Sequence, residues 1–335
     1  MTISKDQSLR LLLSQQALDQ WGPAIEKVLT GYAFELVTIE SAVLQRRTDL
    51  DVAFISRDVT GLSTKHELAP SLQACYEILR RSKGLRWVHI HSAGADRAIY
   101  VELRQRGVVI STSSGASAEV VAQSALAGLL ALARRFPQLM AAQREHRWAP
   151  LLGEGQPPDL SGQSMVLVGW GPIGQRIAAV VRLLGMRLTV VRTKVAATQE
   201  GVETVDFDGF ESVLPAADWL VLACPLTERT RRLVGAKALY AMPKGACLIN
   251  VARGEVVDQS ALIAALRSAH LGGAMLDVFE HEPLPADSPL WDFPNVIVTP
   301  HTAAHSQGNE KRVAGMFLDN LQRWRDGLPL LKLAH

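Results

Sequence analysis

Short apolar runs alternate with amphipathic stretches along most of this chain. Ser8 to Ser14 is an apolar run suited to a first strand. Asp51–Ser56, Leu85–Ile90 and Gly107–Thr112 are short and rich in β-branched residues, as strands buried on both faces of a parallel sheet are. Helical stretches, Leu72–Arg81 and Ile99–Arg106, fall between them. Strand and helix in alternation predict an α/β fold. A long helix is predicted from about Ala118 to Arg147, interrupted or kinked at Pro137. After a polar loop, Gly153–Gly162, six more strands are predicted: Met165–Val168, Leu188–Val191, Trp219–Ala223, Ala246–Asn250, Ala274–Leu276 and Val296–Thr299. Six strands with intervening helices match a doubly wound dinucleotide-binding sheet. From Ser306 to Arg325, Val313, Met316, Phe317, Leu321 and Trp324 recur on one helical face, with Ser306 as N-cap and Gly327 as stop. This last helix follows the final strand of the second sheet, so it is expected to return to the first domain. The predicted architecture is therefore two Rossmann-like α/β domains, each a doubly wound parallel sheet, with a cleft between them. Residues 1–117 plus 305–335 form a discontinuous substrate domain, and 118–304 the dinucleotide-binding domain.

Composition narrows the function. A net charge of +2, with no Lys/Arg-rich run, argues against nucleic acid as a partner. The three cysteines, Cys75, Cys224 and Cys247, show neither zinc spacing nor a CxxC pair, so no metal and no disulfide is expected and a cytoplasmic setting fits. Charges at Lys5, Asp6 and Arg10 do not suit a signal peptide. The longest apolar helical run, Ser124 to Ala133, is half the length needed to cross a bilayer and is closed by Arg134 and Arg135, so no membrane partner is expected.

Gly169, Gly171 and Gly174 form GxGxxG directly after an apolar strand. Pro172 suits the first turn of the following helix, where its missing N–H is not needed. Gly169 allows the tight turn, Gly171 lets a pyrophosphate approach the backbone, and Gly174 lets helix and strand pack closely. The helix N-terminus supplies N–H groups for phosphates. A plain glycine-rich turn is the competing reading. NAD sites usually place an acid at the end of the second strand, about 20 residues on. Here that strand ends in Arg192-Thr193-Lys194, and two cations suit a 2′-phosphate. NADP is therefore the preferred cofactor and NAD the second choice, unless Arg192 and Lys194 are merely solvated loop charges.

Three further side chains sit where strands of the second unit end. Arg253 follows Ala246–Asn250 and offers a forked donor for a carboxylate. His301 follows Val296–Thr299 and can exchange a proton near neutral pH. Glu282 could pair with His301 and favour its charged form. Glu280 is an equal rival, on the same side of an extended segment. His305 is a weaker competitor to His301, and His281 is expected to turn outward. Asp277 ends a strand and could bind a nicotinamide amide or cap the next turn. A surface ion pair for Arg253 and a structural role for His301 remain the plain alternatives.

Together these residues resemble the D-isomer-specific 2-hydroxyacid dehydrogenases. The segments VGWGPIG, CPLTERTRRLVG, MPKGACLINVARGEVVD, LDVFEHEPLP and VIVTPHTAA occur in that family's order, and the match is strongest from Leu160 to Ser306. The resemblance implies Arg253, Glu282 and His301 as the catalytic set, choosing Glu282 over Glu280. It implies that backbone near Trp170, Pro172 and Ile173 holds pyrophosphate, and that Cys224, Pro225 and Thr227 pass beside the adenosine. Ala252 and Asp277 would hold the carboxamide. In HSAGADR, the N–H groups of Ala93 and Gly94 would bind the substrate carboxylate, alongside Arg253. GASAEVVAQSALAGLLALAR looks like the interdomain helix, with Gln123 where Glu is frequent. Ala303 replaces a frequent glycine. Formate and phosphite are disfavoured, by Glu282 and Ala93 respectively. The activity implied is reduction of a small 2-keto acid, of glyoxylate or hydroxypyruvate type, to the D-2-hydroxy acid in a homodimer joined through the cofactor domain. A nicotinamide-sensing scaffold or corepressor on the same fold is the alternative.

Overall fold

A computed structural model of the chain describes residues 8–64, 67–195 and 202–334. The chain divides into two compact units, Met1–Ala116 with Ser306–His335, and Ser117–His305. Among the described residues each unit carries one wholly parallel sheet.

The first unit runs β1 (Leu9–Leu13), α1 (Gln15–Val28), β2 (Phe34–Thr38), α2 (Ile39–Leu44), β3 (Val52–Ile55), α3 (Arg57–Thr60), α4 (Pro70–Arg81), β4 (Trp87–Ile90), α5 (Ala98–Gln105) and β5 (Val109–Thr112). Its sheet order is β2-β1-β3-β4-β5. β3 and β4, inside the sheet, are buried along their whole length, which is why they read as unbroken apolar runs. β2, which the apolar pattern did not announce, is a half-exposed edge strand paired with β1 from Leu9↔Phe34 to Leu13↔Thr38. Ser14 caps α1 by accepting from the Ala17 N–H at 3.0 Å. Inside the sheet, His89 is fully buried between the hydroxyls of Ser111 (2.7 Å) and Ser113 (3.1 Å).

The second unit runs α6 (Ala118–Ala133), α7 (Phe136–Arg144), β6 (Ser164–Val168), α8 (Pro172–Leu183), β7 (Arg187–Val191), β8 (Glu203–Val205), α9 (Phe210–Val213), β9 (Trp219–Leu222), α10 (Ala236–Ala241), β10 (Cys247–Asn250), α11 (Gln259–Arg267), β11 (Gly273–Leu276) and β12 (Val296–Val298). The order β12-β11-β10-β9-β6-β7-β8 reverses between β6 and β9, as a doubly wound nucleotide-binding sheet does. A seventh strand, the three-residue edge β8, adds to the six predicted. The long helix predicted over 118–147 is two helices. The break falls at Arg134 and Arg135, the latter at φ 55°, and Pro137 lies in the first turn of α7, where proline is tolerated, so it starts a helix rather than kinking one.

The last helix, α12 (Asn309–Arg325), belongs to the first unit. It starts three residues later than predicted. Gly308 precedes it, and the hydroxyl of Ser306 accepts from Arg312 at 2.9 Å instead of capping the helix. Turns hold 302–309, with His305 N–H bonded to Thr302 and Asn309 N–H to Ser306, so the helical register cannot begin earlier. Gly327, at φ 69°, ends it as expected. Val313, Phe317, Leu321 and Trp324 are buried in a cluster with Leu11, Phe54 and Trp87. Phe317 stacks on Phe54 at 4.3 Å between ring centres. No helix among the described residues is long and apolar enough to cross a membrane.

Candidate active site

In a parallel sheet every strand ends at the same rim, so strand order sets the order of side chains along it. Across the second unit the rim reads His301 after β12, Asp277 after β11, Arg253 after β10, Cys224 after β9, Gly169 after β6 and Arg192 after β7. Adjacent strands lie about 4.8 Å apart, so β10 and β12 are about 10 Å apart across β11. Arg253 and His301 thus flank one strand end from opposite sides.

His301 and Glu282 are in direct contact. Nδ1 of His301 donates to Oε2 of Glu282 at 2.8 Å, and the other carboxylate oxygen accepts from the Phe279 N–H at 3.1 Å. That leaves Nε2 as the ring nitrogen turned away from the carboxylate. The side chain of Glu282 is 15% exposed and that of His301 45%, so the acid is sheltered and the imidazole is reachable. Glu280 lies elsewhere: its Oε1 accepts from the Gln259 N–H at 3.4 Å and sits 3.9 Å from Arg232. His305 meets Thr302 at 3.0 Å, and His281 is exposed.

Asp277 and Asn250 emerge as buried braces for this trio. Asp277 is 2% exposed. Its carboxylate accepts from the Thr299 hydroxyl at 2.7 Å and the N–H groups of Thr302 (2.9 Å) and Ala303 (3.1 Å), while its backbone carbonyl accepts from the His301 N–H at 2.8 Å. The turn so gathered holds His301 at φ 50°, a left-handed conformation that a side-chain-bearing residue keeps only when its surroundings impose it. The carboxylate is thus turned to its own loop, the capping reading of Asp277. The buried Asn250 braces the Arg253 turn from both ends: its amide donates to the Arg253 carbonyl and accepts from the Ala252 N–H, each at 3.0 Å. Arg253 Nη1 donates to the Ala252 carbonyl at 2.7 Å, and Ala252 itself is buried. Gly254 packs so closely on the Phe279–Glu280 backbone that a Cβ there would strike the Phe279 carbonyl. The turn bearing Arg253 and the segment bearing Glu282 therefore abut with no room for a side chain between them.

The glycine turn has the shape a pyrophosphate needs. A Cβ on Gly169 would fall 2.6 Å from the Ala223 carbonyl, and one on Gly174 would strike the Gly169 carbonyl, whereas at Gly171 nothing lies within 4 Å. Two glycines thus close the packing behind the turn and the third leaves its front open. Pro172 opens α8, Ile173 is half-buried, and the Gln175 amide braces the turn by donating to the Trp170 carbonyl at 3.1 Å. The N-terminus of α8 faces that opening with the uncapped N–H groups of a helix end. This donor set fits a dinucleotide cofactor. Past β9, Cys224 is buried and Pro225 and Thr227 are exposed. The buried Thr230 ties their loop, donating to the Pro225 carbonyl at 2.8 Å and accepting from the Thr227 N–H at 2.7 Å. Arg192 is half-buried past β7 with its N–H on Val205 at 3.0 Å, and Thr193 and Lys194 are exposed.

In the first unit, Ala93 and Gly94 lie in the bend after β4. Ser92 braces it, its hydroxyl donating to the Gly94 carbonyl at 2.8 Å. Among the described residues no group of three or more His, Cys, Asp or Glu is placed to hold a metal. Sequence reasoning missed Asn250 and Thr230 because each acts by bonding backbone. A buried Asn at the end of an apolar strand was the one signal available for the first.

Residues 126–303 match the family described as D-isomer specific 2-hydroxyacid dehydrogenase, NAD binding domain. The chain is 35% identical to a glyoxylate reductase of Korarchaeum cryptofilum over 75% of its own length and 76% of the relative's. It is likewise 35% identical to an (S)-sulfolactate dehydrogenase of Chromohalobacter salexigens, over 74% of this chain and 80% of that one. Its fold superposes on a D-isomer specific 2-hydroxyacid dehydrogenase from Xanthobacter autotrophicus, solved with NADPH and MES, with a TM-score of 0.75, 28% identity and 98% of each chain covered.

Proposed function

Since the chain belongs to the D-isomer specific 2-hydroxyacid dehydrogenases, NAD(P)-dependent oxidoreductases of 2-keto and 2-hydroxy acids, we propose that Arg253, Glu282 and His301 carry its chemistry on a small keto acid of glyoxylate or hydroxypyruvate type. The contact of His301 with Glu282 carries this reading. Glu282 fixes the ring so that Nε2 faces the substrate, and from there His301 gives a proton to the ketone oxygen as it becomes a hydroxyl. Arg253 grips the keto acid carboxylate through its planar fork and draws charge from the ketone. Ala93 and Gly94 add backbone donors to the same carboxylate. The nicotinamide, when bound, supplies the hydride. Gly169, Trp170, Gly171, Pro172, Ile173 and Gly174 would hold its pyrophosphate. Cys224, Pro225 and Thr227 would line the adenosine, and Ala252 and Asp277 would border the carboxamide.

NADP is the proposed cofactor, because Arg192 and Lys194 stand where an acid would hold an unphosphorylated ribose; the Xanthobacter structure contains NADPH. A homodimer through the second unit is proposed from a set of exposed apolar side chains on α6, α7, α8 and the loop after α7: Leu130, Phe136, Met140, Trp148, Val180 and Leu183. A cytoplasmic location is proposed because Cys75, Cys224 and Cys247 are unpaired, and burial pushes the thiols of Cys75 and Cys224 up to about 12.

The test is NADPH oxidation followed at its absorbance band with glyoxylate and hydroxypyruvate. His301→Ala is expected to lower kcat by about 100- to 10,000-fold, as loss of a positioned general acid does, with NADPH still bound. Near-normal turnover in that variant would remove the role.

A further inference from the structure

β5 stands at the edge of the first sheet, with β4 on one side. Its outer side is nonetheless occupied. After α12 the chain turns back, and Leu333 forms an antiparallel bridge with Ser111. The Thr112 N–H donates to the Lys332 carbonyl and the Ala334 N–H to the Ile110 carbonyl, each at 2.9 Å. The Thr112 hydroxyl donates to the same Lys332 carbonyl at 3.3 Å. A buried side chain of α12 anchors this segment. The Asn320 amide donates to the Leu331 carbonyl at 3.1 Å and accepts from the Leu331 N–H at 2.8 Å. Leu330 packs on the cluster that holds Phe54 and Phe317, and Ala334 on the cluster of the other face, which holds Ile90 and Ile110. Leu330 to Ala334 is thus a strap that crosses the sheet edge from one face to the other.

Along a strand the N–H groups point alternately to one side and the other. Thr112 turns its N–H outward to the strap. Ser113, the next residue, turns its own inward to the Ser92 carbonyl at 3.0 Å. The Ser113 hydroxyl donates to the Ile90 carbonyl, also at 3.0 Å. Buried Ser113 therefore holds the carbonyls on both sides of His91, where the bend bearing Ala93 and Gly94 begins. The Ser92 hydroxyl carries the chain of contacts on to the Gly94 carbonyl.

We propose that the strap, acting through Ser113, positions this bend and so sets how tightly the keto acid carboxylate is held. The proposal rests on the reading above, in which the Ala93 and Gly94 N–H groups bind that carboxylate. Two N–H groups grip one carboxylate well only when both point at it, because hydrogen bonds weaken steeply as they bend. Guarding an open edge does not account for the strap. The opposite edge strand, β2, carries no further strand or bridge among the described residues, and there Glu35 pairs with Arg47 instead.

The test compares three variants with the full chain. Ala334→Pro removes the N–H that meets Ile110, whereas Ala334→Gly keeps it. A chain ending at Leu331 loses both backbone bonds to β5. With NADPH and glyoxylate, Ala334→Pro should raise KM about 3- to 10-fold and the shortened chain about 10- to 100-fold, with kcat changed far less. Ala334→Gly should stay within about twofold of the wild type. The Kd for NADPH should not move in any of them. Amide hydrogen exchange needs no turnover and reads the contact itself. The Ser113 N–H should exchange at least about tenfold faster in the shortened chain, while amides of β1 and β3 keep their protection. If glyoxylate is reduced and KM is the same in every variant, the strap has no positioning role and the catalytic reading stands. A loss of protection throughout β1 and β3 would make the strap a stabilising element alone and also overturns the proposal. If the wild type reduces no keto acid, the catalytic reading falls. Exchange at Ser113 then decides whether the strap holds the bend.

Discussion

At the scale of single residues, Arg253 and His301 stand out in the sequence because each comes just past an apolar strand. Arg253 and His301 need only that position to reach the rim. The choice of Glu282 over Glu280 was not legible from spacing, since both point the same way in an extended segment. It depends on the turn at 279–282, where the Phe279 N–H draws the Glu282 carboxylate inward. Gly254 makes the coupling testable. Gly254→Ala has no space for its methyl and must displace either the Arg253 turn or the segment leading to Glu282. Misplacement by about 1 Å can cost about 100-fold in rate. We expect a loss of that order in kcat/KM for the keto acid, with the Kd for NADPH, read by fluorescence, changed far less. A second residue bears on stability. Burial pulls the His89 imidazole down to about 3 from 6.5, so the folded state holds it neutral while the unfolded chain takes up a proton. Its contribution is complete above pH 6.5 and is lost progressively as pH falls from there towards about 3. His89→Gln should flatten the fall of the denaturation midpoint across that acid window; an unchanged slope would exclude the residue as its source.

Among elements, legibility followed burial. Strands enclosed on both faces, such as β3, β4, β9 and β10, stand out as apolar runs within a residue or two of their true ends. The edge strands β2 and β8 do not. Each has one neighbour and half-exposed positions, so neither continuous nor alternating apolar character marks them. The helix break at Arg135 was displaced to Pro137 because proline reads as a breaker, whereas in a first turn it costs nothing. The end of β7 decides the cofactor. If Arg192 and Lys194 bind a 2′-phosphate, replacing both with alanine removes two charge-assisted contacts. The NADPH-to-NADH ratio of specificity constants should drop by about 10- to 1,000-fold, chiefly through the KM for NADPH. A ratio that stays fixed would mean that these cations serve only solvent.

For the whole molecule, the division into two units and the return of the last helix followed from strand counts and from one amphipathic stretch. The exposed apolar set on the second unit had no counterpart in periodicity. α6 is apolar nearly all round, so its pattern does not separate a face turned to the sheet from a face left bare. Trp148 is 94% exposed and Leu183 87%. Several exposed apolar side chains on α6, α7 and α8 together suit the proposed dimer interface. Phe136→Asp together with Met140→Asp is expected to convert the protein to monomers in sedimentation velocity while leaving far-ultraviolet circular dichroism intact. A wild-type chain that already sediments as a monomer would place the interface in doubt.

The placement of α12 has a consequence for biosynthesis. Phe54 and Trp87 leave the ribosome well before Phe317 and Trp324, which stack against them and follow some 230 residues later. At ordinary elongation rates the interval is on the order of ten seconds or more. Throughout it the strands of the first unit present a bare aromatic surface to solvent. The intervening nucleotide-binding unit can fold as it emerges, while the first unit waits for α12 to close its core.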